Sequence, residues 1–306
     1  MSKQIRGCLI LLTAALIWGM AFSAQSNASE SMGAFAFTAL RSLLSSLALG
    51  IFLTAAFRVK KREGKTFREH LPVGALMGGI LFVATCLQQA GIAYTTAAKS
   101  GFITALYIVM VPLIRAIFGK KLPLGVWLGV LCSLTGMYLL CMNGKLTLGM
   151  GDLLTLGCAA AFAVHILIVD KYAAPYNAAL LCCIQFGVSG ILSLIAAMIF
   201  EGGNFAGAKD CIGSILYVGI LSGGVAYTFQ IVGQKDAEPT LASLIMCMES
   251  VFAAIGGWLL LGESMSFREI AGCLLMLTGS VLALLPQNIT KKIGFHGKKG
   301  LTKSGM

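Results

Sequence analysis

Arg41 and Glu249 are the opposite charges that lie deepest within the apolar stretches of this chain, so they are where chemistry is sought first. Arg41 stands about nine residues into one stretch. At 1.5 Å per residue that is roughly 14 Å, close to the middle of a hydrocarbon layer of about 30 Å. Glu249 stands about ten residues into another, at a matching depth. A guanidinium at that depth either binds an anionic group of a solute or holds its own helix through an ion pair or carbonyl contacts. A carboxylate there binds an ammonium group or a proton, or it neutralises Arg41.

Lys99 lies just inside the end of a further stretch, where it either snorkels to the surface or attracts anions to a cavity mouth. Arg115, within a turn of the other end, reads as snorkelling. Gln88, Gln89, Gln185 and Gln230 are amides at apolar depth. Such groups either glue helices together or line a path. His165 is a packed, hydrogen-bonded imidazole or a proton relay. Trp18, Tyr94, Tyr107 and Tyr227 stack on a ring or cation, or they pack and anchor. The candidate solute-binding set is therefore Arg41, Gln88, Lys99, Tyr107, Gln185, Tyr227 and Gln230, with Glu249, His165 and Trp18 as coupling or gating residues.

Catalysis is a poor fit. The chain has only twelve acids, most of them between apolar stretches, and no nucleophile, base and orienter assemble. No Gly-rich loop with Lys-Ser/Thr is present to bind a nucleotide. The ten cysteines form no Cys-x-x-Cys pair and the three histidines are far apart. They read as small buried hydrophobes, with no metal and no cofactor.

The elements that must position these residues are membrane helices. The chain of 306 residues is 58% hydrophobic and 11% charged, with mean hydropathy +0.87. Spans are expected at 7–25, 32–57, 71–93, 97–118, 124–142, 151–172, 177–200, 211–233, 239–261 and 268–286. Only helices satisfy their own backbone in lipid, and the alternation of a membrane barrel is absent. The first stretch is long for a cleaved signal core. With the N-terminus in the cytosol, 17 Lys and Arg fall inside and 3 outside, so both termini are expected to be cytosolic. The net charge of +11 is then mostly a topology signal, scattered over loops, and does not point to nucleic acid.

The chain also repeats itself at about 142–144 residues. Leu11-Leu12-Thr13 recurs as Leu153-Leu154-Thr155, and Gln88-x-x-Gly91 as Gln230-x-x-Gly233. Gly119, Gly129 and Gly136 recur as Gly262, Gly272 and Gly279, and Arg41 falls opposite Gln185. Five helices is an odd number, so the second copy enters the membrane inverted. The expected fold is an all-α polytopic membrane protein of two inverted five-helix repeats, 7–142 and 151–286, followed by a basic cytosolic tail, 287–306. Inverted repeats place a site near the midplane between the halves.

The chain resembles the drug/metabolite transporter superfamily, in particular its EamA-type carriers. The resemblance is carried by Ala15-x-x-Trp18-Gly19, Arg41, the stretch QQAGIAYTTAAKSGF at 88–102, Leu106-Tyr107 with Pro112, and Gly262-Glu263 with Gly272 and Gly279. It implies ten helices, with helices 5 and 10 flanking a cavity enclosed by the other eight. It also implies secondary-active efflux of an amino acid or related metabolite through the cell membrane by alternating access. A uniporter or exchanger for a phosphorylated or other anionic metabolite is the alternative, with an intramembrane enzyme as the weaker one. One departure is visible: members often carry Glu-Pro in helix 9, where this chain reads Glu249-Ser250, which removes a kink aid. Gly125-x-x-x-Gly129 and Gly272 with Gly279 read as close-packing faces, and a homodimer through helices 5 and 10 is a further expectation.

Overall fold

The computed structural model describes residues 2–59, 65–95, 97–142, 149–261 and 266–284, and among them the chain is helical with no strand. Ten spans follow in order. They are α1 (Lys3–Ser29), α2 (Ala34–Val59), α3 (Phe67–Ile92), α4 (Ala97–Thr104 and Tyr107–Ile117) and α5 (Leu124–Cys141). Then come α6 (Met150–Tyr172), α7 (Ala178–Phe200), α8 (Ile212–Gln234), α9 (Pro239–Met246 and Glu249–Leu261) and α10 (Phe267–Leu284). Among the described residues nine of these are long and apolar enough to cross a membrane, and α9 adds the shorter apolar helix Pro239–Ile255. The expected boundaries are met to within about a turn. The tail 287–306, Lys60, Lys61, Arg62, Lys145 and Gly262-Glu263-Ser264 lie outside the described residues.

Local chemistry sets where the helices start. Glu69 accepts from the backbone N of Thr66 at 2.6 Å, and Glu269 does the same for Ser266 at 2.7 Å. These capping boxes open α3 and α10. Asn177 caps α7 by accepting from Leu180 N at 3.0 Å. Pro239 opens α9 at a position whose N–H would be unpaired in any case.

The halves interlock reciprocally. The end of α8 packs on the start of α1: a Cβ at Gly233 would stand 2.9 Å from the Gly7 carbonyl oxygen. The end of α3 packs on the start of α6 with the same geometry, Gly91 against the Gly151 oxygen at 2.9 Å. Three spans in series carry the chain from the start of α1 to the opposite face, where α3 ends. Since α6 starts beside that end, the two halves enter from opposite faces. The packing equates Leu11 with Thr155, a spacing of 144. The Leu-Leu-Thr match at 142 is therefore coincidental in α1 and α6, because apolar triplets recur in any membrane helix.

Helices α5 and α10 close the bundle on one another. A Cβ at Gly136 would lie 2.5 Å from the Gly272 carbonyl oxygen, and one at Gly272 2.5 Å from that of Gly136. The small-residue faces expected for a homodimer are thus used within one chain. A second copy would have to meet the outward leucines, such as Leu131 and Leu274.

Each half also caps the second helix of the other. Glu201, after α7, accepts from Phe35 N at 3.0 Å and Ala36 N at 2.8 Å at the start of α2. His70, at the start of α3, takes the Asn177 N–H on Nε2 at 3.0 Å, while its Nδ1 donates to the Thr66 carbonyl at 2.7 Å. His70→Ala should leave a buried N–H unpaired and cost about 1–2 kcal/mol. Thermal unfolding of the variant in detergent checks this, and an unchanged melting temperature would discard the cap.

Candidate functional site

A polar cavity lies between the halves, lined by α1 to α4 and α6 to α9, with no residue from α5 or α10. Its walls follow the repeat. Trp18 and Phe162, Phe22 and Ile166, Thr85 and Tyr227, Gln88 and Gln230, Thr104 and Met246, and Tyr107 and Glu249 are repeat counterparts, and every one faces it. The last pair follows two equivalent helix breaks. α4 is interrupted at Ala105–Leu106 and α9 at Cys247–Met248, so Tyr107 and Glu249 each open the second half of a broken helix. The break in α9 forms with Ser250 in place of a proline: Ser250 N donates to the Cys247 carbonyl at 3.2 Å, in the same turn that a proline there would have broken.

Arg41 is 6% exposed and reaches the cavity from α2. Its Nη1 donates to Gln25 Oε1 at 3.0 Å, and its Cζ stands 5.5 Å from the centroid of the Phe37 ring. Gln25 is held in turn, since its carbonyl accepts from Gln89 Nε2 at 3.0 Å. Among the described residues Arg41 Nη2 is buried without a hydrogen-bond partner. A guanidinium N–H with no acceptor costs several kcal/mol in such surroundings, and an anion on Nη2 would relieve it.

Glu249 is equally buried. Among the described residues no ion pair joins it to Arg41, so the two do not neutralise each other by direct contact. Ion pairs do join Arg6 to Asp236 and Lys99 to Asp152, each at 2.6 Å, and Arg115 to Glu238 at 3.4 Å. The aromatic wall centres on Tyr227, whose ring meets Trp18 at 4.9 Å and Phe186 at 5.1 Å, both edge-on. Trp18 Nε1 donates to the Ser222 carbonyl at 3.3 Å, which fixes that indole across the halves.

Of the ten sequence candidates, Trp18, Arg41, Gln88, Tyr107, Tyr227, Gln230 and Glu249 line the cavity, and Lys99, His165 and Gln185 do not. Lys99 is bound to Asp152 of α6, which also accepts from Thr95 Oγ1 at 3.1 Å and Gly149 N at 2.7 Å. His165 and Gln185 form a fully buried pair, Nε2 to Oε1 at 3.0 Å, one layer behind Tyr227. Arg115 donates to Thr240 Oγ1 at 3.0 Å and so ties α4 to α9, where free snorkelling was expected. Tyr94 is exposed and away from the cavity. Sequence reasoning misses Gln25 and Asp152. Both stand at the ends of expected spans, where polar residues read as boundaries.

The description "EamA-like transporter family" fits residues 5–142, and fits again at 149–285. The chain belongs to this family. An uncharacterized transporter of Archaeoglobus fulgidus is 28% identical over 92% of this chain and 87% of its own length. The threonine/homoserine exporter RhtA of Escherichia coli (strain K12) is 28% identical over 77% of this chain and 76% of its own. A crystal structure covering 94% of this chain and 98% of its own superposes with a TM-score of 0.74 at 19% identity, a likeness of fold. The chain is thus a multi-pass membrane protein of a transporter family, with an EamA-like unit in each half.

Proposed function

We propose that the chain is a secondary-active carrier moving a small organic solute, an amino acid or related metabolite, by alternating access. The observation that carries this is the pair of unpartnered charges, Arg41 Nη2 and the Glu249 carboxylate, facing one cavity between head-to-tail halves. Inverted-repeat carriers bind near the midplane at such an interface. A cationic and an acidic side chain with no ionic partner among the described residues suit a solute that carries both charges, and Glu249 serves either its ammonium group or a coupled proton. The exporter names among the relatives favour efflux. The charge balance between loops favours cytosolic termini in a cell membrane. On this reading the chain is a carrier and not an enzyme, its partners are solute and lipid, and it needs no cofactor. A homodimer through the outward faces of α5 and α10 is compatible with it.

Counterflow in proteoliposomes tests the reading. Radiolabelled L-threonine should enter faster when the opposite compartment holds unlabelled L-threonine or L-homoserine, and the rate should saturate. Stimulation by a phosphorylated sugar alone would replace the zwitterion with an anion. Linear, unstimulated flux would remove the carrier.

A further inference from the structure

Helix α8 is not a plain α-helix. Tyr217–Ala226 is π-helical between the α-helical pieces Ile212–Leu216 and Tyr227–Gln234, whereas its counterpart α3 is α-helical from Phe67 to Ile92. A π segment this long requires a cause, and the cause is a count of residues between two fixed contacts. At the first contact a Cβ on Gly78 of α3 would stand 2.6 Å from the Gln185 carbonyl oxygen and 2.8 Å from Val188 Cβ. Gly219 of α8 meets α2 in the same way, 3.0 Å from the Arg41 oxygen and 2.8 Å from Leu44. At the second contact Gly91 meets Gly151 and Thr155, and Gly233 meets Gly7 and Leu11.

The partner residues keep one spacing: Arg41 to Gln185, Leu44 to Val188, Gly7 to Gly151 and Leu11 to Thr155 are each 144 apart. The packing glycines do not, since Gly78 to Gly219 is 141 and Gly91 to Gly233 is 142. Helix α8 therefore carries one residue more than α3 between the same two anchors. In an α-helix that residue would turn the far end by about 100° and swing Gly233 off α1. Widening the turn absorbs it.

The widened turn is cavity wall. Val218, Ser222 and Gly223 line the cavity, whereas Met77 and Leu81, the α3 equivalents of Val218 and Ser222, are wholly buried in the core. Its carbonyls are held by three other helices: Gly219 accepts from Ser45 Oγ at 2.6 Å, Ser222 from Trp18, and Gly223 from Cys182 Sγ at 3.6 Å.

We propose that the surplus residue of α8 is a width-setting insertion. It opens the cavity at Ser222 and Gly223 and so limits which solutes fit, while the fold itself does not need it. The proposal rests on reading the cavity as the solute path. Its test uses no solute, so the two readings fail separately.

Deleting Gly224 leaves α8 with the same count as α3, and the variant should purify and unfold within a few degrees of the parent. Deleting Gly79, in the equivalent part of α3, leaves that helix one residue short and should yield no folded protein. Ser222→Cys in the parent should react with a membrane-impermeant trimethylammonium thiol reagent, read by peptide mass against the background of the native cysteines. When Ser222→Cys is combined with the Gly224 deletion, the rate should fall at least about tenfold as the position becomes core. The proposal is overturned if the Gly224 deletion fails as completely as the Gly79 deletion, or if the thiol introduced by Ser222→Cys reacts equally fast with and without Gly224.

Discussion

Arg41→Ala abolishes solute transport while the protein still inserts and folds. Among the described residues Arg41 makes one side-chain hydrogen bond, to Gln25 Oε1, and its Nη2 has no partner. On the proposed reading this charged donor is kept in place for the solute. A carboxylate bound there gains charge-assisted hydrogen bonds worth about 1.5–3 kcal/mol each, so losing two lowers affinity by roughly a hundredfold or more. The fold loses little, because Gln25 stays anchored through its carbonyl to Gln89. Arg41→Lys keeps the charge without the planar fork and should recover only part of the activity. Counterflow rates with size-exclusion profiles of the same preparations decide the matter. Transport at normal affinity in the alanine variant would assign Arg41 to structure alone.

Gly272→Leu prevents the bundle from closing. At Gly136 and Gly272 the backbones of α5 and α10 touch, and any Cβ on Gly272 would stand 2.5 Å from a carbonyl oxygen. Overpacking usually costs about 1–3 kcal/mol because neighbouring side chains give way. Here the neighbour is backbone, so the cost exceeds about 3 kcal/mol and falls on the whole helix pair. The control is Leu274→Ala on the same helix, at a position 59% exposed, which should change stability little. Thermal unfolding in detergent separates the two. Equal melting temperatures would mean that α10 is not held through this contact.

Much of this architecture is legible in the sequence because lipid writes strict rules. Span lengths follow from bilayer thickness, and the depths of Arg41 and Glu249 follow from counting residues. The repeat shows in Gln88 and Gln230 and in the glycines of α5 and α10. What depends on helix rotation is not legible. Whether Arg41 and Glu249 touch, and whether Gln185 faces the cavity or His165, turns on angles that periodicity cannot supply in helices apolar all round. The depth of Lys99 allows a mouth position, but its partner Asp152 is the third residue of α6, where an acid reads as a mere boundary. The small-residue faces of α5 and α10 are visible, but not that each is the other's partner. The spread of repeat spacings already holds the extra residue of α8, but only the packing glycines locate it.

The joint between α5 and α10 is reciprocal: Gly129 meets Gly279 as Gly272, the repeat counterpart of Gly129, meets Gly136. A frame so nearly twofold would by itself offer any guest two interchangeable poses. The side chains mounted on it remove that degeneracy: Tyr107 stands across from Glu249, Thr85 from Tyr227, and Arg41 from a glutamine turned away from the chamber. On the proposed reading a solute is held one way round, with its ends told apart by unlike chemistry on matching scaffolds.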